Sequence, residues 1–344
     1  MRVLLWHVHG GWTDAFVRGD HDYLLPTTPA RDGWGLGRGN RPWPRAVEIA
    51  PDDVAEAGVD VVVLQRPQEL DAAERLLRRR PGRDVPAVYV EHNTPKGDVP
   101  NVVHPLAERD DIPIVHVTHT NALLWDSGRA PALVVEHGVV DPGHRYTGQL
   151  ERIGVVINEP VRRWRVTGTD LLPRFARLAP LDVFGMGTDL LAGAFGTVRP
   201  DITPRGDVPA GPMHAALAER RLYLHPMRWT SLGLSLIEAM HLGMPVVALG
   251  ATEAFRAVPP DAGAVSADLG ELAAAVRLLL RDPHEAARRG RIARESALER
   301  YGLGRFLADW DRVLDDALAR SRPRRTPLRD PGSTADVAGE GSRR

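Results

Sequence analysis

Short unbroken runs of Val, Ile and Leu recur along this chain, with stretches of helical periodicity between them. "RVLLWHV" (2–8), "GVDVVVLQRP" (58–67), "VPAVYVEHN" (85–93), "IPIVHVTH" (112–119) and "ALVVEHGVV" (132–140) follow one another in the first part. A strand that is apolar on both sides of its pleat needs cover on both faces. A parallel sheet flanked by helices provides it. "QELDAAERLLRRR" (68–80) reads as one such helix, with acids early and arginines late, the order the helix dipole favours. A further helix is expected to begin at Thr13–Asp14, and the Gly-, Pro- and Arg-rich residues 27–45 read as a long loop. The pattern then restarts with "RIGVVIN" (152–158), "LDVFGMG" (181–187), "LYLHP" and "PVVAL", again separated by helical stretches. Three helices are expected over 268–282, 283–301 and 304–321. The chain reads as α/β, built from two successive units with a joint near 140–152.

Composition narrows the function. A chain of 344 residues exceeds one ordinary core, which agrees with two units. Cysteine is absent, so disulfides, zinc–thiolate sites and cysteine nucleophiles are excluded. The net charge of −1 gives no general attraction to nucleic acid or membrane. No apolar run approaches the length of a membrane span, and "MRVLLWHVHGG" is too short and too His-rich for a leader. A cytoplasmic protein is expected, and peripheral membrane contact through a local patch stays open. From 322 to 344 the residues are mostly Arg, Pro, Gly and Ser, and read as a disordered tail.

In doubly wound sheets ligands bind beyond the carboxyl ends of the strands, so the loops there carry the candidate chemistry. Gly10–Gly11 follow the first strand, allow close backbone approach, and lead into a helix start with free N–H groups. Glu91–His92–Asn93 follow the third. "VRRWRVTG" (161–168) sets three arginines before a helix start, and guanidinium forks suit a diphosphate. "GWGLGRG" (33–39) follows no strand and opens no apolar helix, so it is no dinucleotide fingerprint. Neither a G-x-S-x-G elbow nor a phosphate-cradling G-x-x-x-x-G-K-[ST] loop occurs. His7 and His9 share a strand face without a third ligand nearby, and read as packed or water-facing. Asp309-Trp310-Asp311 lies within a helix, where acids two apart do not face each other, and reads as surface charge.

The block "YLHPMRWTSLGLSLIEAMHLGMPVVALGATE" (223–253) resembles the donor-binding region of retaining glycosyltransferases of the two-Rossmann, or GT-B, type, family 4 (group 1). Pro226, Gly233, Glu238, Ala239, Gly243, Pro245, Val246 and Val247 stand in register with that family's pattern. "VVEHGVVDPG" (134–143) is similar to its interdomain segment, and 268–310 to its C-terminal helices. The resemblance implies two Rossmann-like domains facing each other across a cleft. The first, 1–145, would lie on the acceptor side and the second, 146–303, would hold the donor. Helix 304–321 would pack back toward the first. It implies transfer from a nucleotide sugar with retained anomeric configuration, no cofactor and no required metal. The acceptor is a glycan, a lipid or a small molecule.

Residue by residue, the resemblance gives Glu238 the donor ribose and sets His92 beside the transferred sugar. Where the family has an acid facing that sugar, this chain has Thr230, followed by Ser231. The family's phosphate-gripping residues are replaced: Asn158 stands near one and Thr167–Gly168 near the others, leaving Arg163 or Arg165 for the diphosphate. The N–H groups of Ser231, Leu232 and Gly233 precede the helix bearing Glu238, and are placed to donate to diphosphate or sugar oxygens. Two other functions fit the same frame. One is a nucleotide-sugar epimerase, which needs no acceptor; the other is a non-catalytic binding protein, which Thr230 motivates.

Overall fold

The computed structural model describes residues 1–196 and 199–321; the tail read as disordered, 322–344, lies outside them. Thirteen strands form two sheets among the described residues. The first sheet holds β1 (Arg2–Leu5), β2 (Asp22–Pro26), β3 (Ala46–Ile49), β4 (Val61–Leu64), β5 (Ala87–Glu91), β6 (Ile114–His116) and β7 (Ala132–Val134). The second holds β8 (Leu150–Val156), β9 (Leu181–Phe184), β10 (Ile202–Gly206), β11 (Arg220–His225), β12 (Val246–Leu249) and β13 (Gly263–Ser266). Every pairing is parallel. The orders are β3-β2-β1-β4-β5-β6-β7 and β10-β9-β8-β11-β12-β13. Both sheets reverse winding beside their first strand, β1 or β8. The crevice beyond the strand ends at that switch point is where such sheets bind ligands.

Helices α1 (Gly10–Phe16), α2 (Glu69–Leu77) and α3 (His119–Leu124) belong to the first unit. The second carries α4 (Pro160–Arg163), α5 (Leu172–Ala176), α6 (Leu191–Ala194), α7 (Ala210–Ala218), α8 (Leu234–Leu242), α9 (Ala254–Ala257), α10 (Leu269–Arg281) and α11 (Pro283–Tyr301). The last helix, α12 (Leu303–Ser321), crosses back. Its Phe306, Trp310 and Leu314 are buried in one core with Val3, Trp12, Phe16 and Val63 of the first unit. Gly138 makes the crossing feasible: a Cβ there would stand 2.3 Å from Phe306 Cβ. Helix α8 ends at Gly243, whose φ of 85° is the left-handed geometry that glycine adopts without penalty.

Four strands differ from the sequence reading. Helix α1 starts at Gly10, three residues before Thr13, and ends at Phe16, so that "DYLLP" is a strand. Strands β3, β10 and β13 likewise have no counterpart in the sequence pattern. They are short, β3 and β10 lie at sheet edges with partly exposed faces, and β10 carries Pro204 and Gly206. A half-covered edge strand needs no continuous apolar run, which removes its signal.

Candidate functional site

The carboxyl ends of the two sheets face a cavity of about 860 Å³, the size of a small-ligand site. On the first unit's side, β5 delivers His92, which is 9% exposed. Its Nε2 lies 3.0 Å from Gln65 Oε1, and Gln65 Nε2 donates to Trp6 O at 2.7 Å. That second bond fixes the amide with its oxygen toward His92. Nε2 of His92 therefore carries the proton, and Nδ1 keeps its lone pair. The ring packs on His9, with centroids 4.0 Å apart, and meets Trp12 edge-on at 5.2 Å. Burial, and then the neighbouring His9 and His137, hold the His92 imidazole well below its ordinary pKa. His9 and His137, both lining the cavity, are lowered to about 4, chiefly by burial. All three imidazoles are neutral at pH 7.

Across the cavity, β11 ends in the loop 226–233 that leads into α8. Ser231, Leu232 and Gly233 line the space, and their backbone N–H groups have no acceptor among the described residues. Leu232 sends its side chain into the core, so only its backbone is available to a ligand. Thr230 lines the cavity, and among the described residues its hydroxyl meets only the Met227 sulfur, at 3.6 Å. Glu238 sits in the second turn of α8, with its side chain 24% exposed. Among the described residues its one ion-pair neighbour is His214 Nε2, at 3.5 Å. No hydrogen bond to its carboxylate is made among the described residues, and it lines the cavity. Arg163 comes from α4, at the switch point beside β8, and also lines the space. Its guanidinium has no carboxylate partner among the described residues, and burial, with Arg162 beside it, lowers its pKa.

Two contacts bind these walls together. Ser231 Oγ donates to the His92 carbonyl, and Trp229 Nε1 donates to Pro95 O at 2.9 Å. Farther out, Glu253 accepts from Thr120 N at 2.8 Å and from its hydroxyl at 2.6 Å. Arg294 pairs with Asp141 at 2.7 Å, and Arg300 with Glu136. Several hydrogen bonds and ion pairs thus join the two units around the cleft.

Of the residues singled out from sequence, His92, Thr230, Ser231, Leu232, Gly233, Glu238, Arg163 and Gly11 meet at this one cavity. Arg165 and Gly10 do not. Arg165 points to solvent and pairs with Asp170 at 3.2 Å, because α4 ends at Arg163 and the chain turns away at Trp164. Gly10 packs against Arg41 and His7, where a Cβ would come within 2.8 Å of Arg41 Nη2. Thr167 is buried, and its hydroxyl donates to Trp164 O at 3.2 Å, away from the cavity. His9, read as packed or water-facing, lines the wall, as do His137, Asn158, Arg162, Asp207 and Lys96. Arg162 belongs to the arginine stretch 161–168 singled out from sequence, whereas nothing in the local sequence marks His137 or Asp207. Their convergence follows from the sheet order.

Residues 170–282 match the family model for glycosyl transferases of group 1. No curated protein matches the chain. Similar solved structures include the sucrose-phosphate synthase of Thermosynechococcus elongatus, with a TM-score of 0.68 at 14% identity, covering 93% of this chain and 99% of that one. HepE of Anabaena, in complex with UDP, gives 0.68 at 14% identity, covering 92% and 100%. TarM of S. aureus, in complex with UDP and a GlcNAc-glycerol, gives 0.60 at 16% identity, covering 74% of this chain and 55% of that one. The chain thus spans about half the length of TarM. These likenesses establish the GT-B fold, with two Rossmann-like sheets facing each other. The resemblance to group 1 glycosyltransferases is borne out by the family match in the second unit.

Proposed function

We propose that the protein is a group 1 glycosyltransferase, moving a sugar from a nucleotide-sugar donor to an acceptor with retained anomeric configuration and without a required metal. The second unit holds the donor and the first faces the acceptor. One observation carries the reading. Free N–H groups at 231–233, an Arg163 with no carboxylate partner among the described residues and Glu238 line one cavity together with a neutral His92. During transfer the bond from sugar C1 to the diphosphate oxygen breaks, a bond from C1 to the acceptor oxygen forms, and charge grows on the diphosphate. Fixed N–H groups and guanidinium groups aimed at that charge stabilise the transition state with little reorganisation. The acceptor proton goes to the departing diphosphate, the strongest base at hand. Glu238 accepts from both ribose hydroxyls, and the His92 ring, its tautomer fixed by Gln65, borders the sugar. The arginine and amide donors supply the charge compensation that a metal would otherwise provide.

Calorimetry with UDP, GDP, ADP and dTDP, followed by their sugars, tests the reading. At least one nucleoside diphosphate binds, Glu238→Ala weakens it by about tenfold or more, and His92→Ala lowers turnover by more than tenfold while the fold survives. A hydrogen bond to a charged group contributes about 1.5–3 kcal/mol, which sets that scale. Near-normal values in both variants would remove the site assignment. Conversion of the donor to an epimer with no acceptor would favour an epimerase, and absence of all nucleotide binding a non-catalytic protein.

A further inference from the structure

The chain carries 44 basic residues, of which one, Lys96, is lysine and the rest arginine. That one lysine lines the cavity. It follows directly on a segment pinned from both sides. Trp125 of the first unit donates to Asn93 O at 2.8 Å, and Trp229 of the second donates to Pro95 O at 2.9 Å. The Ser231–His92 bond fixes the start of the same segment. The backbone leading into Lys96 is therefore held against the loop that carries Trp229 and Thr230; the side chain itself is exposed, lines the cavity, and has no hydrogen-bond or ion-pair partner among the described residues.

The charge of the surrounding wall gives that placement a meaning. Besides Lys96, the first unit lines the cavity with Gly11, Trp12, Asn93, Thr94 and three imidazoles, and no carboxylate. Those imidazoles are neutral, so Lys96 is the one charge on this wall at pH 7. The cavity's acids, Asp207 and Glu238, lie on the opposite unit, and Thr230 adds none at the junction. A wall with one unpaired cation and no anion favours a negatively charged occupant. An ammonium is a compact point charge that suits a carboxylate or a phosphate.

Resting on the function proposed above, we infer that Lys96 selects an anionic group, carboxylate or phosphate, on the sugar-side substrate bound against the first unit. The nucleotide phosphates are left to Arg163 and the 231–233 amides. The anion has two sources, an acidic sugar on the donor or an acidic acceptor.

Because Lys96 is the single lysine, an acetylating N-hydroxysuccinimide ester reads its occupancy directly, with the N-terminal amine as internal reference. The full chain is labelled in the presence of UDP, UDP-glucose, UDP-glucuronate, or glucose and glucose 6-phosphate at saturating UDP. The same pairs are titrated by calorimetry against wild type, Lys96→Met and Lys96→Arg. Expected is an anionic probe that slows Lys96 acetylation and binds about tenfold more tightly than its neutral counterpart. That ratio falls to near one in Lys96→Met and is largely retained in Lys96→Arg. Preference for UDP-glucuronate places the anion on the donor sugar, and preference for glucose 6-phosphate places it on the acceptor. If UDP alone protects Lys96 fully, or anionic and neutral partners bind alike while UDP binds, the inference is overturned and the glycosyltransferase reading stands. If no UDP compound binds, the reading of the site fails, and this inference with it.

Discussion

Trp310, eight residues into the C-terminal helix, governs the far side of the cavity although it does not touch it. It is 1% exposed, and its ring meets Trp12 at 5.5 Å and Phe16 at 5.1 Å, both edge-on. Trp12 in turn meets the His92 ring edge-on at 5.2 Å. Trp310→Ala removes the largest side chain joining α12 to the first sheet. Truncating a buried tryptophan costs about 3–5 kcal/mol, and the lost aromatic edges are included in that range. Trp310→Phe is the control. Trp310 Nε1 is buried without a hydrogen-bond partner, so the change also removes an unsatisfied donor, and the net cost is about 1–2 kcal/mol. Two-unit proteins need not unfold in one step, so amide hydrogen exchange at Val3–Leu5 and Val61–Val63 is the assay, since it reads the first unit alone. At about 1.4 kcal/mol per factor of ten, protection in Trp310→Ala falls at least about a hundredfold. Turnover falls with it as Trp12 and His92 lose their support. Protection within about fivefold of wild type, or equal losses in the Ala and Phe variants, would refute the buttress.

Acidification weakens the fold by a route the buried imidazoles define. His116, His137 and His225 are buried, and each is lowered from 6.5 to about 4, first by desolvation. Between those values the unfolded chain binds protons that the folded chain refuses. Stability is full above pH 6.5, falls as pH drops toward 4 and flattens below. At pH 5 the loss is on the order of 1–2 kcal/mol per imidazole, and urea melts at pH 7 and 5 that superimpose would contradict it. Asp182 is fully buried in the second sheet and holds Arg152 at 2.7 Å, Arg205 at 2.9 Å and Arg220 at 2.8 Å. Asp182→Asn removes the buried charge these guanidinium groups share, leaving Arg220 only the Glu219 carboxylate among the described residues, at 3.3 Å, and costs about 3–5 kcal/mol, visible as a lower thermal midpoint that nucleotide does not restore. Transfer activity, once a donor and acceptor are found, persists in excess EDTA; abolition reversed by added Mg²⁺ would overturn the metal-free reading.

Much of this fold is legible in the sequence, for a physical reason. Strands covered on both faces, such as Val61–Leu64 and Val246–Leu249, must be apolar at every position. Helix α10 announces itself by its Asp268 cap and its apolar face. Edge strands such as Ala46–Ile49 carry no such demand and leave no such mark. Within the site, the loop 230–233 and Glu238 are readable because one continuous segment holds them. Arg163 was readable only as one of several arginines. Arg165, two residues on, is indistinguishable by composition, and the left-handed entry at Glu159 and the turn at Trp164 decide which guanidinium faces the cavity.

The sequence by itself determined the class: two parallel-sheet units, a globular composition, no thiol chemistry, and one lysine among 44 basic residues. Burial imposes its pattern residue by residue, so these features are written locally. Tertiary structure alone decided which side chains share a wall. His9, His92 and His137 lie on different strand-end segments, and Pro95, next to Lys96, meets the donor-side loop through Trp229, 134 positions away. Their meeting depends on strand order and on how the two sheets face each other, which no local run of residues encodes.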